Sequence, residues 1–305
     1  MLLPLAGRRL YYDLVGPEVG PVVCITHSLA SDSGMWAEQM PPLLQAGFRV
    51  LRVDMRGHGG SDPVAGDYTM KALAGDVAAG LEAVSLPRVH YVGLSIGGMI
   101  GQAFAIEHGT KLISALWSDT LPASPKGAAT LWDERMSTVR QASSLEPLAD
   151  PTMERWFTDA FKPRNPGRWK QIRDTVAATT PAGYLGCSAA IMNFDFTAQL
   201  PALRVPTWWC AAPTIRAHRR ARTGISQGWF PAAATRRSPT LAISQMSSTP
   251  KCSTGSLSVG WTRNVSCADA GGPLKRAKIQ RKSCTQPLAR VAYSQKSTSN
   301  QRSRG

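Results

Sequence analysis

Alternating strand and helix patterns over the first 120 residues predict an α/β fold: a mostly parallel sheet with helices on both faces and a helical cap. Three observations carry that expectation. Short apolar runs recur between segments of helical spacing. Residues 121–200 then hold helical patterns and no clear strand. An apolar stretch at 205–210 (VPTWWC) returns to strand character before the composition changes.

The elements follow in order. Residues 9–15 alternate and read as an edge strand. Residues 21–26 (PVVCIT) form a short apolar run, the mark of a strand buried on both faces. Residues 48–53 (FRVLRV) read as a further strand that ends at Asp54, with Arg56, Gly57, His58 and Gly59 in a tight loop. Residues 68–83 place Met70, Leu73, Val77 and Leu81 on one helical face. Residues 89–94 (VHYVGL) form a strand that runs into Ser95, 96–108 a buried helix, and 112–117 a strand closed by Ser118, Asp119 and Thr120. The cap holds helical patterns at 132–139, 153–161, 169–178 and 184–192. The expected division is a core at 1–120, a cap at 121–200, a last core strand at 201–211 and a basic tail of low order at 212–305.

Charge separates the tail from the rest. Residues 1–205 carry 18 Lys and Arg against 19 Asp and Glu, whereas 206–305 carry 17 against the single acid Asp269. The net +15 therefore belongs to the last hundred residues, and the body requires no polyanionic partner. The tail is rich in Arg, Ser, Thr and Pro, without sustained periodicity, and buries too little apolar surface to offset the entropy of ordering. It has no aromatic stacking platform, so nucleic-acid binding is not expected. Six cysteines without a CxxC pair give neither a zinc site nor a disulfide framework, and no metal or cofactor is expected. No signal peptide and no membrane span are read, and a cytoplasmic protein is the default expectation.

The strongest chemical signal is Gly93-Leu94-Ser95-Ile96-Gly97-Gly98 between a predicted strand and a predicted helix. A serine on so sharp a turn takes strained backbone angles, and glycine two residues to either side lets the chains pass closely. Ser95 then sits at a helix N-terminus, where the N–H of Ile96 faces developing negative charge. The second signal is Thr26-His27-Ser28-Leu29 after the PVVCIT strand, with the Leu29 N–H as the second oxyanion donor. His27 reads as a loop-holding residue rather than a proton-transfer group. The third is Asp54-Met55-Arg56-Gly57-His58-Gly59-Gly60-Ser61-Asp62, read as a structural turn in which Arg and Asp tie loops together.

In that order these three motifs resemble the α/β-hydrolase superfamily, and more narrowly the 3-oxoadipate enol-lactonases. Met35-Trp36, Ser118-Asp119-Thr120, Thr130-Leu131-Trp132 with Arg135 and Val139, Arg155-Trp156-Phe157-Thr158 and Pro181-Ala182-Gly183-Tyr184 carry the narrower likeness. The similarity spans roughly residues 8–210 and ends abruptly. It implies a small-molecule ester or lactone substrate from aromatic-compound breakdown, attacked by Ser95. Trp132 and Arg135 would shape the pocket, the arginine pairing with a carboxylate; ordinary cap packing is the alternative for both.

The pattern then breaks. The fold's chain order is Ser, then Asp or Glu, then His. The acid is due after VPTWWC, where the chain reads Ala211-Ala212-Pro213-Thr214-Ile215-Arg216. The last histidine, His218, lies in a cationic run and reads as a solvated residue. Asp119 supplies at most an orienting acid, and loop capping is its expected role. Together, the lost motifs and the sudden change of composition point to a shifted reading frame after about residue 208, tested by resequencing the codons for 206–212. The competing expectation is a catalytically defective relative that at most binds a small molecule.

Overall fold

The computed structural model of the chain describes residues 1–124 and 127–210. The tail at 212–305, His218 and the acid-poor stretch 211–216 lie outside the described residues. Seven strands form one sheet among the described residues: β1 (Leu2–Leu5), β2 (Arg8–Val15), β3 (Val22–Thr26), β4 (Arg49–Val53), β5 (Val89–Leu94), β6 (Leu112–Ser118) and β7 (Thr207–Cys210). Their order is β1-β2-β4-β3-β5-β6-β7. β1 and β2 pair antiparallel with their neighbours, and β4, β3, β5, β6 and β7 run parallel. This is the predicted mostly parallel sheet. The VVCIT strand is central and buried at every residue, as its unbroken apolar run requires.

Residues 9–15 are not the edge. β1 pairs outside them, Leu2 against Tyr11 and Leu5 against Arg8. Four residues containing Pro4 are too few to show a period, and an edge strand tolerates the missing N–H.

Eight α-helices are described: α1 (Met40–Gln45), α2 (Met70–Ala83), α3 (Ile96–Glu107), α4 (Ala129–Ala142), α5 (Glu146–Trp156), α6 (Phe161–Arg164), α7 (Pro166–Ala178) and α8 (Pro181–Met192). α2 starts where Thr69 Oγ1 accepts the Ala72 N–H at 3.1 Å, and it buries Met70, Leu73, Val77 and Leu81. α3 buries every residue from Ile96 to Ala105. It packs against α2 and against β3, β5 and β6, with Tyr91, Phe104 and Trp117 among the largest fully buried side chains. The helix expected at 153–161 is two helices. Phe157 is extended (φ −118°, ψ 155°) and stacks on Phe161 with ring centroids 4.2 Å apart.

The helical segment leaves and rejoins the core through one neck. Ala123 bridges Asp195, Ser124 N–H donates to Phe194 O at 2.9 Å, and Phe196 N–H donates to Pro122 O at 2.8 Å. It docks through α8, where the Thr180 N–H and hydroxyl both donate to Gly57 O at 3.0 and 2.9 Å. It docks again through α7, where Arg168 pairs with Glu38 at 2.8 Å. No helix among the described residues is long and apolar enough to cross a membrane.

Candidate active site

Parallel pairing sets the site. Thr26 of β3 lies opposite Gly93 of β5, and Leu94 lies opposite Ser118 of β6. The loops after β3, β5 and β6 therefore leave the sheet side by side at its carboxyl end, the usual place for chemistry in such sheets. Ser95 follows β5 directly, half-buried, with φ 55° and ψ −116°. That conformation is rare for a residue with a Cβ and persists only where its surroundings over-determine it. They do here. The Ser95 N–H donates to Ser118 O at 2.9 Å, and Ser95 O accepts from Met99 N–H at 3.1 Å and from Thr120 Oγ1 at 2.8 Å. A Cβ on Gly93 would overlap the Gly97 carbonyl, and one on Gly97 would lie 2.5 Å from Thr26 O and 2.7 Å from His27 O. Both glycines thus allow the close approach that brings α3 against the β3 loop.

Two amides of that loop that flank Leu29 are engaged. The Ser28 N–H contacts Met35 Sδ at 3.3 Å, and the Ala30 N–H donates to His58 Nε2 at 3.2 Å. Neither the Leu29 N–H between them nor the Ile96 N–H has an acceptor among the described residues. The structure thus brings Ser95, Ile96 and Leu29 to one end of the sheet, with two amide hydrogens unspent.

His27 and His58 are spent on the loops. His27 Nε2 accepts the Met55 N–H at 2.9 Å, which leaves the ring proton on Nδ1, 2.8 Å from Ser28 O. His58 repeats the pattern from the other loop. Its Nε2 accepts the Ala30 N–H, and its Nδ1 lies 3.0 Å from Arg56 O. Burial, and then His27 nearby, push the His58 ring down to about 3, so it is neutral. The two rings lie 5.4 Å apart and lock the loops to each other. His90 is the second residue of β5, and His108 follows the far end of α3, both at the opposite end of the sheet from Ser95. His90 Nδ1 lies 2.9 Å from Ser114 Oγ, and burial pushes its ring down to about 4. None of the four histidines among the described residues is placed to take a proton from Ser95.

Asp54 also ties loops. Its carboxylate accepts the Ser33 N–H at 2.7 Å and the Gly60 N–H at 2.9 Å, and burial raises its pKa. Arg56 and Arg8 converge on buried Asp76, and Arg9 pairs with Asp62 at 2.9 Å. Asp119 ends β6 at φ 46°; its N–H donates to Cys210 O at 2.9 Å, and Ser118 Oγ donates to its carboxylate at 3.2 Å. Trp132 and Arg135 share one face of α4, with the guanidinium 5.3 Å from the ring centroid. Burial lowers the Arg135 pKa, and among the described residues no carboxylate lies within ion-pair distance of it. A cavity of about 330 Å³ between the β3 loop and α7 is lined by Asp32, Asp54 and Arg168, and by neither Ser95 nor Arg135. Its polar groups serve the loops, so it is not the site defined by the strand ends. No cluster of three metal-ligating side chains occurs among the described residues.

Sequence reasoning missed Thr120 and His58 as parts of this arrangement. The only available signal was their position inside motifs already singled out.

Comparison with known proteins agrees with this architecture. The family model for the alpha/beta hydrolase fold matches residues 21–169. The chain is 29% identical over 211 residues to 3-oxoadipate enol-lactonase 1 of Acinetobacter baylyi, covering 68% of this chain and 76% of that protein. It is 30% identical to 3-oxoadipate enol-lactonase 2 of the same organism, covering 65% of this chain and 72% of that protein. The crystal structure of the enol-lactonase from Burkholderia xenovorans superposes with a TM-score of 0.66 at 32% identity, covering 70% of this chain and 81% of that one.

Proposed function

The chain belongs to the α/β-hydrolase family, and from that premise we propose that it acts on a small carboxylic ester or lactone of the 3-oxoadipate enol-lactone kind, with Ser95 as nucleophile. One observation carries the reading: a serine held at φ 55° where a strand meets a helix, beside two amide hydrogens without acceptors among the described residues. In this reading Ser95 Oγ loses its proton to a base and bonds to the carbonyl carbon. The Leu29 and Ile96 N–H groups hold the resulting oxyanion. Collapse breaks the ester C–O bond, the leaving oxygen takes up a proton, and water releases the acid from Ser95. Residues 121–200 would act as the cap. Arg135, desolvated over Trp132 and with no ion pair among the described residues, would pair with a carboxylate on the substrate. Such a substrate fits a cytoplasmic role in aromatic-compound breakdown.

Mixing the full-length chain with a p-nitrophenyl ester tests this. A burst of nitrophenolate with an acyl adduct on Ser95 by mass spectrometry is expected, and Ser95→Ala should abolish both. A burst that survives Ser95→Ala overturns the assignment.

The engaged histidines favour a second reading, a relative that binds without turnover. No acid or Gly-His pair follows VPTWWC in the expected order, and His218 is the only histidine beyond the described residues. Losing the base of a serine hydrolase costs on the order of a million-fold in kcat. Ester binding with neither a burst nor an adduct on Ser95 supports this reading, and sustained turnover at neutral pH rejects it.

A further inference from the structure

Thr120 follows β6 rather than β3 or β5, and its hydroxyl donates to Ser95 O at 2.8 Å. The contact depends on two local features. Asp119 leaves β6 in the left-handed region (φ 46°), which turns the chain back over the elbow. Gly98 in the first turn of α3 has no side chain where Thr120 packs; a Cβ there would lie 2.8 Å from Thr120 Cβ and 3.0 Å from Oγ1. Thr120 is buried, so its hydroxyl is committed to this bond rather than to water.

Ser95 O and the Ile96 N–H belong to one peptide unit. The unit is planar and trans, so its C=O and N–H point in opposite directions, and fixing one fixes the other. The Ser95 angles are strained, and rotation of that plane would relieve them while swinging the Ile96 N–H away. The opposite donor is built the same way: the Ser28–Leu29 peptide is held at Ser28 O by His27 Nδ1, and the Leu29 N–H has no acceptor among the described residues. Each amide thus has a side chain gripping the carbonyl on the other side of its plane, at Ser95 O alongside the helical bond from the Met99 N–H at 3.1 Å. A hydrogen bond accepted by that carbonyl also polarises the N–H as a donor.

We propose that Thr120 is a positioning residue for the oxyanion site, acting through the Ser95–Ile96 peptide. The proposal rests on the assignment of Ser95 as nucleophile. Its test is phosphonylation of the full-length chain by a p-nitrophenyl alkylphosphonate at pH 9, where hydroxide takes the serine proton in place of an imidazole. The Ser95 Oγ–P bond forms, the P–O bond to nitrophenolate breaks, and the phosphoryl oxygen needs the same two amides. Thr120→Val should slow labelling of Ser95 by about tenfold, less than outright removal of an oxyanion donor. Thr120→Ser, which keeps the hydroxyl, should stay within about twofold of wild type. Saturation with probe concentration should place the loss in the rate at saturation and leave the half-saturating concentration unchanged. Labelling of Thr120→Val at the wild-type rate overturns the proposal. So does Thr120→Ser as slow as Thr120→Val, because packing rather than the hydroxyl would then be the cause. Should Thr120→Val fail to fold, Thr120→Cys makes the same comparison with a weak donor of similar size. Wild type that does not label at Ser95 overturns the nucleophile assignment itself, and with it this proposal.

Discussion

Strand β3 buries all of its residues and β5 all but Val92, whereas helix α4 buries only Met136 and Val139, and α7 only Val176. The sheet is held by close-packed apolar side chains and by hydrogen bonds between buried loops. In the helical segment, α4 and α7 are held partly at the surface, as where Arg173 reaches Glu146 and Asp150 across α7 and α5. Exposed pairs of that kind contribute little. The contrast suits the proposed chemistry, because a strained serine and two aimed amides need a rigid frame, while a pocket wall can yield as substrate enters. The sharpest break of this contrast is Trp117→Ala. Trp117 is 1% exposed and meets Trp209 edge-on at 5.0 Å. Removing it should cost about 3–5 kcal/mol, read as a fall in the denaturant midpoint. A loss below about 1 kcal/mol would show that the sheet is no tighter than the cap.

Acid should loosen the frame next. In the unfolded chain the His58 ring takes up its proton near 6.5, and in the folded chain only near about 3. Below pH 6.5 the unfolded state therefore binds more protons. The stability this histidine confers is complete above that pH and declines as the pH falls toward 3, by about 1.4 kcal/mol per unit. Physically, a protonated Nε2 can no longer accept the Ala30 N–H. Buried Asp54 acts in the opposite sense, since its raised pKa favours the folded state as it protonates. His58→Gln leaves that contribution in place and removes only the ring. The gap between wild type and variant should shrink by about 2 kcal/mol from pH 7 to pH 5. Parallel stability–pH curves would refute the locked-ring account.

The same contrast governs how much was legible in the sequence. The central strands stood out because a strand buried on both faces must be apolar throughout, as Val22–Thr26 is. The α5–α6 break did not, because Arg155-Trp156-Phe157-Thr158 keeps its apolar spacing while Phe157 turns out of the helix to stack on Phe161. At the site, Ser95 was legible because its backbone angles force small neighbours into the chain. The loop-holding reading of His27 agrees with the backbone partners on both its ring nitrogens. Thr120 was silent. Its grip on Ser95 O arises only when Asp119 takes a left-handed turn and Gly98 leaves room, and neither event marks the sequence around Thr120 itself.

The smallest expected effect tests the cap on its own terms. Arg135 is desolvated but makes no ion pair among the described residues; its neighbour is the Trp132 ring. If it is packing, Arg135→Ala costs stability and nothing specific. If it waits for a carboxylate, the folded state gains little from it, and the loss appears only with a charged ligand. Stability should change by less than about 1 kcal/mol, as for a partly exposed contact. Affinity for a dicarboxylic half-ester should fall about tenfold, while affinity for the corresponding diester stays the same. The difference between the two ligands, measured calorimetrically on one variant, separates recognition from packing. An equal loss for both esters would return Arg135 to the cap's architecture and leave the ligand's charge to be met elsewhere.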